Sequence, residues 1–209
     1  QLLQEALAIL RGVPSIRLDA TPQGRPVYLR LGFQDEYALC RMQRAATSTG
    51  HGPQGADGTP QSILSQFGEI SFRPMQVEDL VGVAEADRRI FGANRLEVLR
   101  WALERSPEYA WIATGPAGME GYCFARHGFN FDQIGPVHSK SELVSQRLVS
   151  VCLAVVKPGT PVIVDPVLHS PTWQNWLRQA GFVHQRPFTR MALGENRHPG
   201  FPEEMWTIF

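Results

Sequence analysis

Cysteine is scarce. Cys40, Cys123 and Cys152 are the three in 209 residues, widely spaced inside apolar stretches. That excludes a disulfide framework and a paired zinc site, and reads as reduced core thiols of a cytoplasmic protein. Net charge is lacking too: 20 Lys and Arg stand against 20 Asp and Glu, so nothing holds a polyanion by counterion release and nucleic acid is excluded as a partner. No apolar run approaches the roughly 18 residues of a membrane span, and no basic stretch leading into an apolar one opens the chain, so neither membrane insertion nor export is expected. The sequence has no Gly-x-Ser-x-Gly, His-Glu-x-x-His or Gly-x-x-x-x-Gly-Lys-Ser/Thr, which removes the hydrolase, zinc-protease and P-loop classes. His169 and His184 lack metal-ligand spacing.

What the chain does have is core-forming composition, 43% hydrophobic against 19% charged, enough to expect a packed fold. Leu2, Leu3, Ala6, Leu7 and Leu10 share one helical face, already mid-pattern at the first residues, so the chain is expected to begin inside a domain. Gly12 and Pro14 stop that helix before a strand at 15–19; a helix at 25–31 and a strand to Met42 follow. Residues 45–61 are rich in Gly, Pro and small polar side chains, the composition of a flexible linker that carries His51 as a solvated side chain.

From Glu69 regular patterning resumes: a strand at 70–73, helices marked by Val77, Leu80, Val81 and Ala84 and by Leu96, Leu99 and Leu103, then strands at 109–113, 121–126 and 129–137. The spacing of Ser139 and Glu142 predicts a capping box opening the next helix. A strand at 162–164, a helix at 172–180, a strand at 182–193 and an edge strand within 203–209 complete the series. This order predicts a mixed α/β sheet with helices on both faces.

The chain repeats itself. Gly32-Phe33 and Gly181-Phe182 are each followed, after seven residues, by Arg-Met, at Arg41-Met42 and Arg190-Met191; Leu10 to Asp19 and Val156 to Asp165 also match in spacing. The stretch Gly24-Arg25-Pro26-Val27-Tyr28-Leu29-Arg30-Leu31-Gly32-Phe33 resembles the closing helix and Gly-Phe turn of the GNAT acetyltransferases. Ile134-Gly135-Pro136-Val137, Val164-Asp165-Pro166 and Phe188-Thr189-Arg190-Met191 resemble the YitH/HolE-type GNAT-like domain found behind a first GNAT domain. The resemblance covers residues 1–44 and 70–209. It implies the GNAT-like acyl-CoA N-acyltransferase fold: the end of a first domain at 1–44, a linker at 45–68 and a second domain at 69–209. It further implies acetyl-CoA or another acyl-CoA as cosubstrate, a small-molecule amine as acceptor, and room for a homodimer.

In that family acyl-CoA lies in a V-shaped opening between the fourth and fifth strands, with pyrophosphate on the N–H groups of the following helix. The resemblance places this at 135–141, with Ile134, Gly135, Val137, Ser139 and Lys140 as cofactor contacts. The usual Gln/Arg-x-x-Gly-x-Gly/Ala loop is absent, Pro136 has no N–H, and Glu142 brings a carboxylate that Lys140 would have to offset.

For catalysis, Tyr28 takes the position of the family's proton donor to the leaving thiolate. His138, or His127, is a candidate general base, and Asp165, ending the fifth strand, a partner for the substrate amine or a cap near Ser170. The second copy has Leu177 where the first has Tyr28, flanked by Trp173 and Trp176 as core or pocket wall. Two readings follow: an N-acetyltransferase, or a non-catalytic GNAT-like module for ligand binding or dimerisation.

Overall fold

A computed structural model describes residues 2–47, 68–196 and 198–208. The N-terminal segment forms α1 (Leu2–Ile9), β1 (Ser15–Ala20), α2 (Arg25–Arg30) and β2 (Gln34–Arg44). The C-terminal segment forms β3 (Ser71–Pro74), α3 (Leu80–Phe91), α4 (Leu96–Arg105), β4 (Trp111–Gly115), β5 (Gly118–Arg126), β6 (Asp132–Ser139), α5 (Glu142–Val155), β7 (Val162–Pro166), α6 (Pro171–Gln179), β8 (Val183–Gly194) and β9 (Met205–Ile208). Most of the expected linker, with His51, lies outside the described residues.

The nine strands of the described residues form one sheet in the order β1-β8-β2-β7-β9-β6-β5-β4-β3. Period-two alternation sends side chains to two layers. Cys123 and Ala125 of β5 join Val144, Leu148 and Cys152 of α5 and Trp173 and Leu177 of α6 in one core. Tyr122 and Phe124 of the same strand join Leu80 and Val83 of α3 and Leu99 and Ala102 of α4 in the other. The mixed sheet with helices on both faces is the one the sequence predicts. All three cysteines are buried and free.

The repeat explains the middle of the sheet. Gly32 and Gly181 turn their chains at φ +90° and +89°, a region that favours glycine. Each turn delivers its following strand to the other segment: β8 pairs with β1 and β2 with β7, while β2 and β8 lie antiparallel between them. Leu39 faces Phe188 there, and each stands six residues after the Phe of its own Gly-Phe turn. A local two-fold axis therefore passes through that pair.

The repeated Asp and Arg obey the same symmetry. Arg41 donates two hydrogen bonds to Asp165 at 2.9 and 2.7 Å, and Arg190 donates two to Asp19 at 2.5 and 2.9 Å. Each segment thus supplies the arginine for the other's aspartate, in the planar two-point geometry guanidinium and carboxylate share.

Two local expectations are corrected. The tail strand β9 lies inside the sheet, between β6 and β7, not at its edge; Met205, Trp206, Thr207 and Ile208 are all buried, and a strand apolar on both faces needs two covered faces. The cap of α5 is Ser141, whose side chain accepts from the Val144 N–H, because β6 continues through Ser139. Ser139 Oγ bonds to the Ser141 carbonyl and to Ser145 Oγ at 2.7 Å instead.

Candidate functional site

β6 and β7 begin as a parallel pair, Asp132 opposite Val162 through Ile134 opposite Val164, and then part. β9 stands in the opening, pairing Val137 with Thr207 and His138 with Met205 on one side, and Asp165 with Ile208 and Pro166 with Thr207 on the other. Side chains fix it. Trp206 Nε1 donates to the Ser139 carbonyl at 3.0 Å, Trp173 Nε1 to the Trp206 carbonyl at 3.0 Å, and Thr207 Oγ1 to the Ile134 carbonyl at 3.2 Å. The Trp173 ring stacks on Trp176 and meets Trp206 edge-on.

Four of the expected cofactor contacts, Ile134, Gly135, Val137 and Ser139, therefore lie on a strand covered by β9, all of them buried. Gly135 is so close that a Cβ there would sit 2.6 Å from the Ile208 carbonyl oxygen. Lys140 is half-exposed and pairs with Glu120 at 3.2 Å. At the start of α5, Glu142 accepts from Gln146, Ser170 and Thr172, tying this helix to the first turn of α6. These residues do not fit an acyl-CoA: the strand opening is filled by the chain's own backbone, and the first turn of α5 carries the Glu142 carboxylate, which a pyrophosphate would meet as a like charge.

His138 is fully buried among Asp87, Arg95 and Tyr122. Arg95 donates to Asp87 at 2.9 and 2.6 Å and stacks on the Phe91 ring, its Cζ 3.7 Å from the centroid. The Tyr122 hydroxyl donates to Asp87 at 2.7 Å. His138 Nε2 lies 3.4 Å from Arg95 Nη2 and 3.6 Å from Asp87 Oδ1. Burial pulls the imidazole down to about 3, with the Asp87 charge opposing and the Arg95 charge assisting. It is neutral at pH 7, and a base this weak takes no proton from an ammonium group.

His127 differs. Burial lowers its affinity for protons, but hydrogen bonds with Glu108 at 2.8 Å and Asp132 at 3.1 Å outweigh that and raise its pKa. Asp132 also accepts from the Tyr109 hydroxyl at 2.5 Å.

Asp165 receives Arg41 through two bonds and Gln133 Nε2 at 3.0 Å. Tyr28 lies at the other end of the sheet, on α2, edge-on to Phe33 at 5.7 Å and half-buried beside Ala20 and Met191. The structure does not bring Tyr28, His138 and Asp165 together. Among the described residues no group of three or more His, Cys, Asp or Glu side chains is placed to hold a metal ion, and no helix is long and apolar enough to cross a membrane.

A cavity of about 960 Å³ opens beside β1, between Ser15, Arg17, Leu18 and Asp19 on one side and Phe91, Gly92 and Ala93 at the end of α3 on the other, and is lined further by Arg190, Glu195, Asn196 and His198. Sequence reading missed Arg41, Arg190, Phe91 and Trp206. The repeated Arg-Met pairs carried a usable signal for the two arginines; Phe91 and Trp206 gave none.

A mixed sheet whose two central parallel strands part, with a helix following each, has the arrangement of the GNAT fold. The description "Acetyltransferase (GNAT) domain" belongs to the family model that matches residues 83–207, more than half of this chain; the chain belongs to the GNAT family, whose members generally use acyl-CoA as cosubstrate. It is similar to the holothin acyltransferase of Pseudoalteromonas sp. (strain SANK 73390), 23% identical over 181 residues, which are 87% of this chain and 56% of that protein. A putative acetyltransferase from Pyrococcus horikoshii superposes with TM-score 0.70 at 20% identity, over 100% of this chain and 63% of that one. A tandem GNAT protein from the clavulanic acid biosynthesis pathway superposes with TM-score 0.52 at 12% identity, over 90% and 66%. At such identities these structures speak for the fold. The chain spans about three-fifths of the first relatives it matches.

Proposed function

We propose that the protein transfers an acyl group from acyl-CoA to a small-molecule amine, and that the chemistry belongs to the unit closed by α2 and β2. In this reading residues 69–209 are a GNAT-like companion with no acyl-CoA site of their own. The observation that carries it is β9, which occupies the strand opening of the C-terminal segment with paired backbone. Leu177, which stands where the N-terminal segment has Tyr28, supports it: a leucine donates no proton. The likeness to the holothin acyltransferase and the GNAT domain match, which lies at residues 83–207, support acyl transfer in general terms for the family; the assignment to the α2–β2 unit rests on β9 and Tyr28.

Within this reading Tyr28 donates the proton that the departing thiolate needs, after direct attack by the amine and without a covalent enzyme intermediate. Its place on a helix ended by the Gly32 turn holds the ring in one direction. The test is an acyl-CoA and amine panel with the protein at its natural length. Tyr28→Phe should lower kcat by about 100-fold, a usual size for a lost general acid, with KM nearly unchanged. An unchanged kcat would remove Tyr28 from the chemistry, and a panel without turnover would remove the activity.

A further inference from the structure

A second cluster of titratable side chains lies at the start of β6, the opposite end of that strand from the place where it parts from β7. It joins the loop of residues 127–131, between β5 and β6, to the short turn Pro107–Tyr109 that follows α4. His127 is its centre. Nδ1 stands 3.1 Å from Asp132 and Nε2 2.8 Å from Glu108, and the ring leans on that of Tyr109, the centroids 5.2 Å apart.

Counting donors and acceptors fixes the charge of the ring. The buried Asp132 accepts from the Tyr109 hydroxyl at 2.5 Å, and that phenol keeps its proton because burial, and then this bond, raise its pKa. Both nitrogens of His127 therefore face acceptors. A neutral imidazole carries one N–H, so it satisfies one carboxylate and turns a lone pair toward the other; only the imidazolium donates to both. Lys157, which lines a cavity of about 310 Å³ together with His127, is a cation and favours the neutral ring. Burial favours it too, but the bonds to Glu108 and Asp132 outweigh both and the His127 pKa is raised.

The two carboxylates hold the ring unequally. The Asp132 side chain is 3% exposed and that of Glu108 41%, so a ring left with one N–H keeps Asp132 and gives up Glu108. The loop has room to follow. Gly128, Phe129, Asn130 and Phe131 face Lys157 and residues 159–161 across the same cavity, and Phe129 at the tip is fully exposed.

We propose that His127 is a pH-sensitive latch: protonated, it ties the loop between β5 and β6 to the turn after α4 through Glu108, and on losing one proton it lets the loop go. The sign is definite. A histidine free of these contacts titrates near 6.5 and the latched one higher, so the latch is complete below about pH 6.5 and is lost as pH rises through the latched value. None of this depends on the acyl-transfer reading.

The experiment is NMR on the isotope-labelled 209-residue chain from about pH 5 to about pH 9. The His127 ring, assigned with His127→Gln, should titrate with a midpoint above about 6.5. His138, whose pKa is about 3, stays neutral throughout and does not obscure it. Backbone order parameters at residues 128–131 should fall from about 0.85 to below about 0.6 across the same midpoint. Each pH unit by which the midpoint exceeds the ordinary value corresponds to about a tenfold change in loop opening. Glu108→Ala removes an exposed side chain, and should lower the midpoint and leave the loop mobile at every pH. A midpoint at or below about 6.5 would overturn the latch. So would order parameters that stay constant through the titration, or a Glu108→Ala variant that matches the wild type in both readouts.

Discussion

His138 and Arg41 show what side chains do when a fold closes over them. His138 looked from the sequence like a base at the end of a strand. Inside the sheet it stands beside Asp87 and Arg95, with a proton affinity pulled down to about 3 by burial. The linkage has a definite sign. An unfolded histidine takes up its proton near pH 6.5, the folded one only near 3, so the unfolded state binds more protons between those values. Stability from this group is complete above pH 6.5 and is lost as pH falls. We expect urea unfolding to show stability decreasing from pH 7 to pH 5, with His138→Gln removing a slope of up to about 1.4 kcal/mol per pH unit. His127 works in the opposite sense, its raised pKa favouring the folded state as pH falls, so the difference between variant and wild type is the informative quantity. An identical slope in His138→Gln would contradict the burial account.

Arg41 is the second case at this scale. Removing it strands Asp165, only 6% exposed, with Gln133 as its remaining partner. Arg41→Met should cost about 3 kcal/mol in urea unfolding, in the range for breaking a buried pair. Arg190→Met leaves Asp19 with a third of its side chain open to water and should cost less, about 1 kcal/mol. A loss below about 0.5 kcal/mol in both would reduce the symmetric pairs to surface decoration.

At the scale of elements, the helices and most strands were legible because each repeats an apolar period of its own: Leu80, Val83 and Ile90 on α3, or Ile112 between buried neighbours on β4. The twin Gly-Phe turns announced themselves by spacing. Which strand lies beside which was not legible, since β2 and β8 are separated by more than 100 residues and their pairing depends on shapes formed elsewhere. The same holds for the tail. Its five-residue run of Met205, Trp206, Thr207, Ile208 and Phe209 reads equally as an edge or an interior strand, and only the parting of β6 and β7 decides. The capping error was more local: both Ser139 and Ser141 can cap, and the length of β6 selects the second.

Two element-scale predictions follow from β9. Trp206→Ala removes a ring buried against Trp173 together with its bond to Ser139, and should cost about 3–5 kcal/mol. Gly135→Ala places a methyl 2.6 Å from the Ile208 carbonyl oxygen, so hydrogen exchange at Met205–Ile208 should accelerate while β4 and β5 keep their protection. Uniform acceleration across the sheet would mean that β9 is not an element that opens separately.

At the scale of the molecule, one continuous sheet is assembled from two segments that exchange neighbours about a local two-fold axis. Their Gly-Phe turns and Asp–Arg pairs match, yet the segments differ in chemistry: one carries Tyr28, the other Leu177 and a strand opening filled by β9. The central claim is that this opening takes no acyl-CoA. Hydrogen exchange of the 209-residue chain, with and without millimolar acetyl-CoA, tests it most directly. The account predicts unchanged exchange at residues 134–145 and at Met205–Ile208; protection at the first turn of α5, with faster exchange in β9, would contradict it.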